Sequence, residues 1–198
     1  MGGAGGRLEH TPAAMPSSFG VVNVELRTER LILRPVEPAD LDALVEIHAD
    51  PGTEQFFGAF GRAEVVDWIA RAEVEWAERG QGRLALVDRE SGAFLGRSGL
   101  RYWPQFEEVE VGWVLHPAAR GRGLATEAGR ACIEWGFREL DVDYLTAMIA
   151  PANAASIAVA GRLGMEPLRE DTLFGAPVIV YAARRDRAAG RDSGTVGR

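Results

Sequence analysis

The sequence predicts an α/β (α+β) fold, with a mixed, largely antiparallel central sheet and helices on both of its faces. Apolar residues alternate at period two in several short runs and recur at helical spacing in others. These runs follow the order β-α-α-β-β-β-α-β-α-β-β, which is typical of a mixed sheet covered by helices. The three consecutive strands are expected to form an antiparallel meander.

The first elements are one strand and two helices. A strand covers Leu31–Leu33, and Pro35 ends it because proline has no N–H for the ladder. Pro38–Asp40 opens the first helix, and the second helix covers Ala63–Arg79. Residues 51–61 are predicted to be a loop, although they hold three phenylalanines.

The second half of the chain contains most of the predicted strands. Apolar Leu124, Ala128, Cys132 and Trp135 recur at i, i+4, i+8 and i+11, which indicates a helix. The predicted elements, in order, are strands Arg83–Asp88, Phe94–Trp103 and Val109–Leu115, a helix from Leu124, strand Tyr144–Ala150, helix Asn153–Leu163, and strands Met165–Glu170 and Pro177–Arg184.

Length and composition fit one globular domain. The chain has 198 residues, of which 46% are hydrophobic. The domain is predicted over residues 24–187, because residues 1–23 and 188–198 are rich in small and polar residues and read as a disordered leader and a flexible tail.

The net charge and the lack of targeting or metal-binding patterns argue against several classes of partner and location. The net charge of −7 argues against nucleic acid and anionic membranes. No stretch resembles a signal peptide or a membrane span, so the protein is expected to be cytoplasmic. His, Cys and carboxylate residues show no metal-ligand spacing, so no metal is predicted. The single cysteine, Cys132, lies on the apolar stripe of a helix and is expected to be a core residue.

Between the third meander strand and the following helix lies the segment Arg120–Thr126, RGRGLAT. A glycine-rich loop that enters a helix presents free backbone N–H groups at the positive end of the helix dipole, which favours anion binding. Two arginines add charge to it. The alternative is an ordinary glycine-containing loop between a strand and a helix.

The phrase Arg120-x-x-Gly123-x-Ala125 resembles the coenzyme A signature Q/R-x-x-G-x-G/A of the GNAT acyltransferase superfamily. The resemblance extends from Leu26 to about Arg187 and implies the GNAT fold and acetyl-CoA as co-substrate. It also implies that the strand ending at Leu115 splays from the next strand, with the pantetheine arm in the gap. The implied coenzyme A ligands are Val114, Leu115, Arg120, Gly121, Arg122, Gly123, Leu124, Ala125, Thr126 and Asn153.

Two residues are candidates for proton transfer. The resemblance implies that Glu110 accepts the proton of the attacking amine, whereas a solvated strand-face glutamate is the alternative. Many GNAT enzymes place a tyrosine seven residues after the asparagine that corresponds to Asn153, but here that position is Ala160. Ser156 is the natural substitute, with a local backbone contact as its alternative role.

The predicted function is acetyl-CoA-dependent N-acetylation of a primary amine by direct attack. The phrase Asn153-x-x-Ser156, followed by Arg162–Met165, is similar to that of the subgroup that acetylates N-termini of ribosomal proteins. A protein N-terminal α-amine is therefore one predicted acceptor of the acetyl group. The alternatives are a small-molecule amine such as a polyamine, amino acid or aminoglycoside, and a non-catalytic module that binds coenzyme A. Exposed strand edges and the family resemblance favour a homodimer.

Overall fold

The structure is a computed structural model that describes residues 24–58 and 60–185. The predicted leader, 1–23, and the predicted tail, 188–198, lie outside the described residues. Within the described ranges, one sheet contains the strands β1 (Leu26–Arg27), β2 (Leu31–Pro35), β3 (Arg83–Asp88), β4 (Phe94–Trp103), β5 (Glu108–Leu115), β6 (Tyr144–Ile149), β7 (Glu166–Leu173) and β8 (Ala176–Arg184).

The strands lie in the order β1-β2-β3-β4-β5-β6-β8-β7. All neighbouring pairs are antiparallel except β5 and β6, which are parallel. The predicted mixed, largely antiparallel sheet and its antiparallel meander are therefore confirmed. The helices of the described residues are α1 (Leu41–Ala49), α2 (Pro51–Phe57), α3 (Arg62–Arg79), α4 (Leu124–Glu139) and α5 (Ala154–Arg162).

Helices cover both faces of the sheet because successive strand residues point in opposite directions. In β3, Leu86 belongs to the core cluster that contains Leu124 of α4. Its neighbour Ala85 belongs to a second cluster, with Leu44 of α1 and Val65 of α3. The sheet therefore has an α1/α3 face, covered by α1 and α3, and an α4 face, covered by α4.

The sheet opens between β5 and β6. Their ladder contains the single pair Glu110↔Thr146. Beyond it, β5 remains paired with β4 as far as Leu115, and β6 remains paired with β8 as far as Ile149. The two strands therefore diverge toward their carboxyl ends, as the GNAT resemblance implied.

The prediction of a loop over residues 51–61 is wrong for its first half, which forms α2, Pro51–Phe57. Pro51 occupies the first helical turn, where its missing N–H is not needed. A tertiary contact also stabilises this short helix, because Arg120 Nη2 donates to Thr53 Oγ1 at 2.9 Å. Sequence periodicity could not reveal this partner, which lies 67 residues away.

The cross-strand pair Gly99↔Gly112 of β4 and β5 generates a stability prediction. Gly99 has φ +130°, and a Cβ there would lie 2.4 Å from the Gly82 carbonyl oxygen. Gly99→Ala should therefore lower the free energy of unfolding by at least about 2 kcal/mol, because strain and overpacking add. Urea-induced unfolding measures the change.

Gly112→Ala is the matched control for this prediction, because a Cβ at Gly112 would meet no heavy atom within 4 Å. Its effect on the free energy of unfolding should stay within about 1 kcal/mol. Equal stabilities of the two variants would show that the close approach of β3 to Gly99 is not a constraint on the fold.

Candidate functional site

The start of α4 presents unpaired backbone donors. Gly121 and Gly123 have φ values of +74° and +77°, which glycine adopts without strain. The first bond of the helix runs from Glu127 N to Gly123 O, at 3.1 Å. The N–H groups of the preceding turn, on Leu124, Ala125 and Thr126, therefore have no acceptor within the helix. This is the geometry of an anion site.

Thr126 adds a second polar group to this turn. Its Oγ1 atom is buried, and no hydrogen-bond partner for it exists among the described residues. Buried hydroxyl groups normally have a partner, so an unpaired one beside free N–H groups is consistent with a ligand that supplies it. Arg122 is exposed beside this turn, and contacts of residues 121–126 with coenzyme A stay predictions.

The Arg120 side chain points to a different part of the molecule. Its Nη2 atom lies 2.6 Å from Asp50 Oδ2 and its Nε atom 3.3 Å from the Leu115 carbonyl oxygen. The hydrogen bond from Arg120 lowers the pKa of Asp50. The guanidinium therefore joins α2 to the end of β5, and a contact of Arg120 with phosphate stays a prediction.

Arg30 supports the loop, although no sequence pattern predicted this role. Arg30 Nη1 donates to the Arg122 carbonyl oxygen at 2.9 Å, and Arg30 Nη2 lies 2.6 Å from Glu127 Oε2. Glu127 also accepts from Thr28 Oγ1 at 2.5 Å. These contacts tie the turn between β1 and β2 to the start of α4. Nothing in the local sequence signals them, because the partners are nearly 100 residues apart.

The gap between β5 and β6 is lined by the backbone of β5. His116 N donates to Leu95 O at 2.9 Å, so at the end of β5 the polar groups of even-numbered residues face β4. Because backbone polar groups alternate along a strand, those of Trp113 and Leu115 face the gap. Leu115 was predicted from the resemblance and Trp113 was not. Val114 directs its backbone groups toward β4, so its contact with coenzyme A stays a prediction.

Glu110 lies at the point where the strands diverge. Its Oε2 accepts a hydrogen bond from Trp103 Nε1 at 2.7 Å, and its Oε1 accepts one from Met148 N at 3.2 Å. The Glu110 side chain thus binds an N–H group of β6 where the ladder with β5 has stopped. Burial raises the pKa of Glu110, and the two donors only partly oppose that increase.

Asn153 caps the N-terminus of α5. Asn153 Oδ1 accepts from Ser156 N at 3.0 Å, and both residues follow the end of β6. Ala160, the position of the missing tyrosine, is fully buried in the core. Contacts of Asn153 and Ser156 with coenzyme A stay predictions.

Cys132 is unsuited to covalent catalysis. It is fully buried, and its Sγ lies 3.4 Å from Ser98 Oγ. Burial raises the pKa of the Cys132 thiol to about 11, which disfavours the reactive thiolate. Within residues 24–58 and 60–185, no group of three or more His, Cys, Asp and Glu residues could hold a metal ion.

No helix in the described part of the chain is long and apolar enough to cross a bilayer.

A family model for the acetyltransferase (GNAT) domain matches residues 30–166. The uncharacterized protein YkkB of Bacillus subtilis is 30% identical over 168 residues, which cover 79% of this chain and 94% of YkkB. The chain is also similar to a solved acetyltransferase from Agrobacterium tumefaciens, at 31% identity and TM-score 0.72, covering 91% of this chain and 100% of the other.

A more distant solved structure shares the fold at 18% identity. It is RimL, a ribosomal-protein alpha-N-protein acetyltransferase in complex with coenzyme A. Its TM-score is 0.67, and the match covers 80% of this chain and 96% of that chain.

The loop geometry predicts that a negative charge at Gly123 weakens coenzyme A binding. Gly123→Asp should bind coenzyme A at least about tenfold more weakly than Gly123→Asn, measured by calorimetry. Asparagine is the matched control, because both side chains have the same size and tolerate the left-handed backbone. If both variants fold and bind coenzyme A equally well, the diphosphate does not lie on this loop.

Proposed function

The chain belongs to the acetyltransferase (GNAT) domain family, and from that premise we propose that it moves an acetyl group from acetyl-CoA to a primary amine by direct attack on the thioester. The observation that carries this proposal is the position of Glu110. A carboxyl group with a raised pKa lies at the divergence of β5 and β6, beside the gap that would receive the thioester.

Glu110 is suited to be the general base. A primary amine must lose its positive charge before it can attack a carbonyl carbon, and a carboxylate with a raised pKa accepts that proton more readily. The bonds from Trp103 and Met148 fix the orientation of both carboxylate oxygens. Glu110 is only partly buried, so a small group or a bridging water can reach it.

The acetyl carbonyl would lie against the open edge of β5. Attack places a negative charge on its oxygen, and the N–H groups of Trp113 and Leu115 face the gap in which that charge forms. Donors fixed in a strand need no rearrangement as the charge develops, which makes them effective in stabilising an oxyanion. The diphosphate of coenzyme A would bind the loop before α4, which begins nine residues after β5 ends.

The leaving thiolate has no tyrosine at position 160 to protonate it. A thiol has a pKa near ~8.5 and tyrosine one near ~10, whereas a serine hydroxyl is a far weaker acid. Ser156 therefore serves as a hydrogen-bond donor to the sulfur, or as a relay from water, rather than as the acid itself. Cys132 is excluded as an acyl carrier by its burial, which supports direct transfer.

A protein N-terminal α-amine is the acceptor that the sequence supports through its Asn153-x-x-Ser156 phrase. The likeness to RimL, a ribosomal-protein acetyltransferase, is compatible with that acceptor. At 18% identity, however, this likeness shows only that the two proteins share a fold. Release of free thiol from acetyl-CoA, measured against a panel of peptide and small-molecule amines, tests the reaction itself. Coenzyme A binding without thiol release on any amine would favour the non-catalytic module.

The role of Glu110 predicts a specific pH dependence. In the unaltered protein, kcat/KM should fall as pH drops through the raised pKa of Glu110, because the protonated carboxyl cannot accept a proton. Glu110→Gln should lower kcat/KM by about a hundred- to ten-thousand-fold near neutral pH. The loss of kcat/KM in Glu110→Gln should become smaller at high pH, where the amine is already neutral.

Glu107→Gln is the matched control, since Glu107 is an exposed glutamate three residues away. Its pH profile should coincide with that of the unaltered protein, while coenzyme A binding stays intact in both variants. A Glu110→Gln profile parallel to that of the unaltered protein would remove Glu110 as the base.

A further inference from the structure

Three arginines share the α1/α3 face of the sheet. Arg97 and Arg101 alternate along β4 with Gly99 between them, and Arg83 lies beside Gly99 on β3. The guanidinium carbons of Arg83 and Arg97 lie 4.9 and 5.0 Å from the ring centroid of Trp68 in α3. The sequence contained a signal for part of this arrangement. Positions 97 and 101 differ by an even number within a predicted strand, which places both side chains on one face.

Among residues 24–58 and 60–185, only one of the three arginines has a counter-ion. Arg83 pairs with Glu75 through Nη1 and Oε2 at 2.5 Å. Among the residues described by the structure, no carboxylate lies within ion-pair distance of Arg97 or Arg101. Their guanidinium groups instead stack on aromatic rings, with Arg101 lying 3.6 Å above the Trp103 ring centroid.

Arg97 is also short of hydrogen bonds. Its Nε is buried and has no partner within residues 24–58 and 60–185, and the same is true of Nδ1 of His48. His48 is itself buried, and burial together with the charge of Arg97 lowers its pKa to about 4, so that it is neutral at pH 7. Two unpaired polar atoms therefore lie on this face in the described part of the chain, one in α1 and one in β4.

Positive charge exceeds negative charge in this region. Burial and the neighbouring Arg83 lower the pKa of Arg97 to about 9, so Arg97 remains charged at neutral pH. Glu110 acts on Arg97 electrostatically, but its carboxylate oxygens are bonded to Trp103 and Met148. A buried charge without a counter-ion is costly, and an anionic ligand would offset that cost.

The sheet leaves room for such a ligand between Arg97 and Glu110. The pair Gly99↔Gly112 lies between the pairs Arg97↔Val114 and Arg101↔Glu110, all on the α1/α3 face. A Cβ at Gly112 would meet no heavy atom within 4 Å, so open space lies above this residue. Alternate strand residues are about 6.8 Å apart, so a ligand above Gly112 can reach both neighbouring pairs.

We propose that the space above Gly112 is the acceptor site and that the acceptor amine carries a carboxylate, which Arg97 binds with Arg101 beside it. This proposal rests on the proposed acetyltransferase function. It places the amine toward Glu110 and the carboxylate toward Arg97. A polyamine or aminoglycoside would bring further positive charges against the same arginines.

Paired substrates test the proposal on the unaltered protein. L-alanine and L-alaninamide differ in an α-carboxylate, and the tripeptide amides Ala-Asp-Ala and Ala-Asn-Ala differ in a side-chain carboxylate. Within one of these pairs, kcat/KM should be about ten- to a hundredfold higher for the member that carries the carboxylate, when it is calculated from the concentration of the neutral amine form. The pair that responds identifies the source of the carboxylate, and spermidine should be a poor acceptor.

Arg97→Gln assigns the preference to a residue. This variant should reduce the carboxylate preference, measured as the ratio of kcat/KM within the pair, to near unity. Arg138→Gln, an exposed arginine on α4, is the matched control and should keep the full preference. Arg97→Lys should retain part of the preference, because a lysine keeps the charge but loses the bidentate geometry.

Two results would overturn the anion site. One is equal kcat/KM for both members of each pair in the unaltered protein, and the other is a preference that survives in folded Arg97→Gln. Calorimetry of the same pairs on protein saturated with coenzyme A separates this proposal from the chemistry. Selective binding of the carboxylate without turnover would keep the site and overturn the proposed acetyl transfer, whereas unselective binding would overturn the site.

Discussion

The separation of β5 from β6 is the constraint on which the rest of the site depends. One backbone pair, Glu110↔Thr146, holds these parallel strands together, and beyond it each strand is held by its other neighbour. The N–H groups of β5 that face the gap therefore make no ladder with β6. Inside a sheet, such groups ordinarily bond to the neighbouring strand. Glu110 lies at the same point, so the proposed base and the open edge are positioned by one feature.

The α1/α3 face concentrates charge where a stability-driven fold would place apolar side chains. Glu110 has a raised pKa, Arg97 a lowered pKa, and neither has a direct ion-pair partner in the part of the chain described here. Groups of this kind lower stability and serve binding or catalysis when they line a cleft. The apolar cores on both faces, with α4 on one and α1 and α3 on the other, hold them in place.

Much of the fold could be predicted from the sequence, because strand and helix periodicities are local signals. The start of α4 followed from the glycine-rich loop before Leu124, and the helix predicted over Asn153–Leu163 is present as α5. Other features depend on tertiary contacts or register. The short helix α2 depends in part on Arg120, and the direction of the Trp113 N–H depends on how β5 pairs with β4. The open space at Gly112 likewise appears only once the strands are aligned.

Hydrogen–deuterium exchange with and without saturating coenzyme A tests most directly whether the pantetheine arm enters the gap between β5 and β6. Exchange should slow in residues 111–115, at the open strand edge, and in residues 121–126, at the loop before α4. It should stay unchanged in β2, which lies three strands away from β5. Protection of residues 121–126 without any change in residues 111–115 would contradict the account, because coenzyme A would then bind the loop without entering the gap.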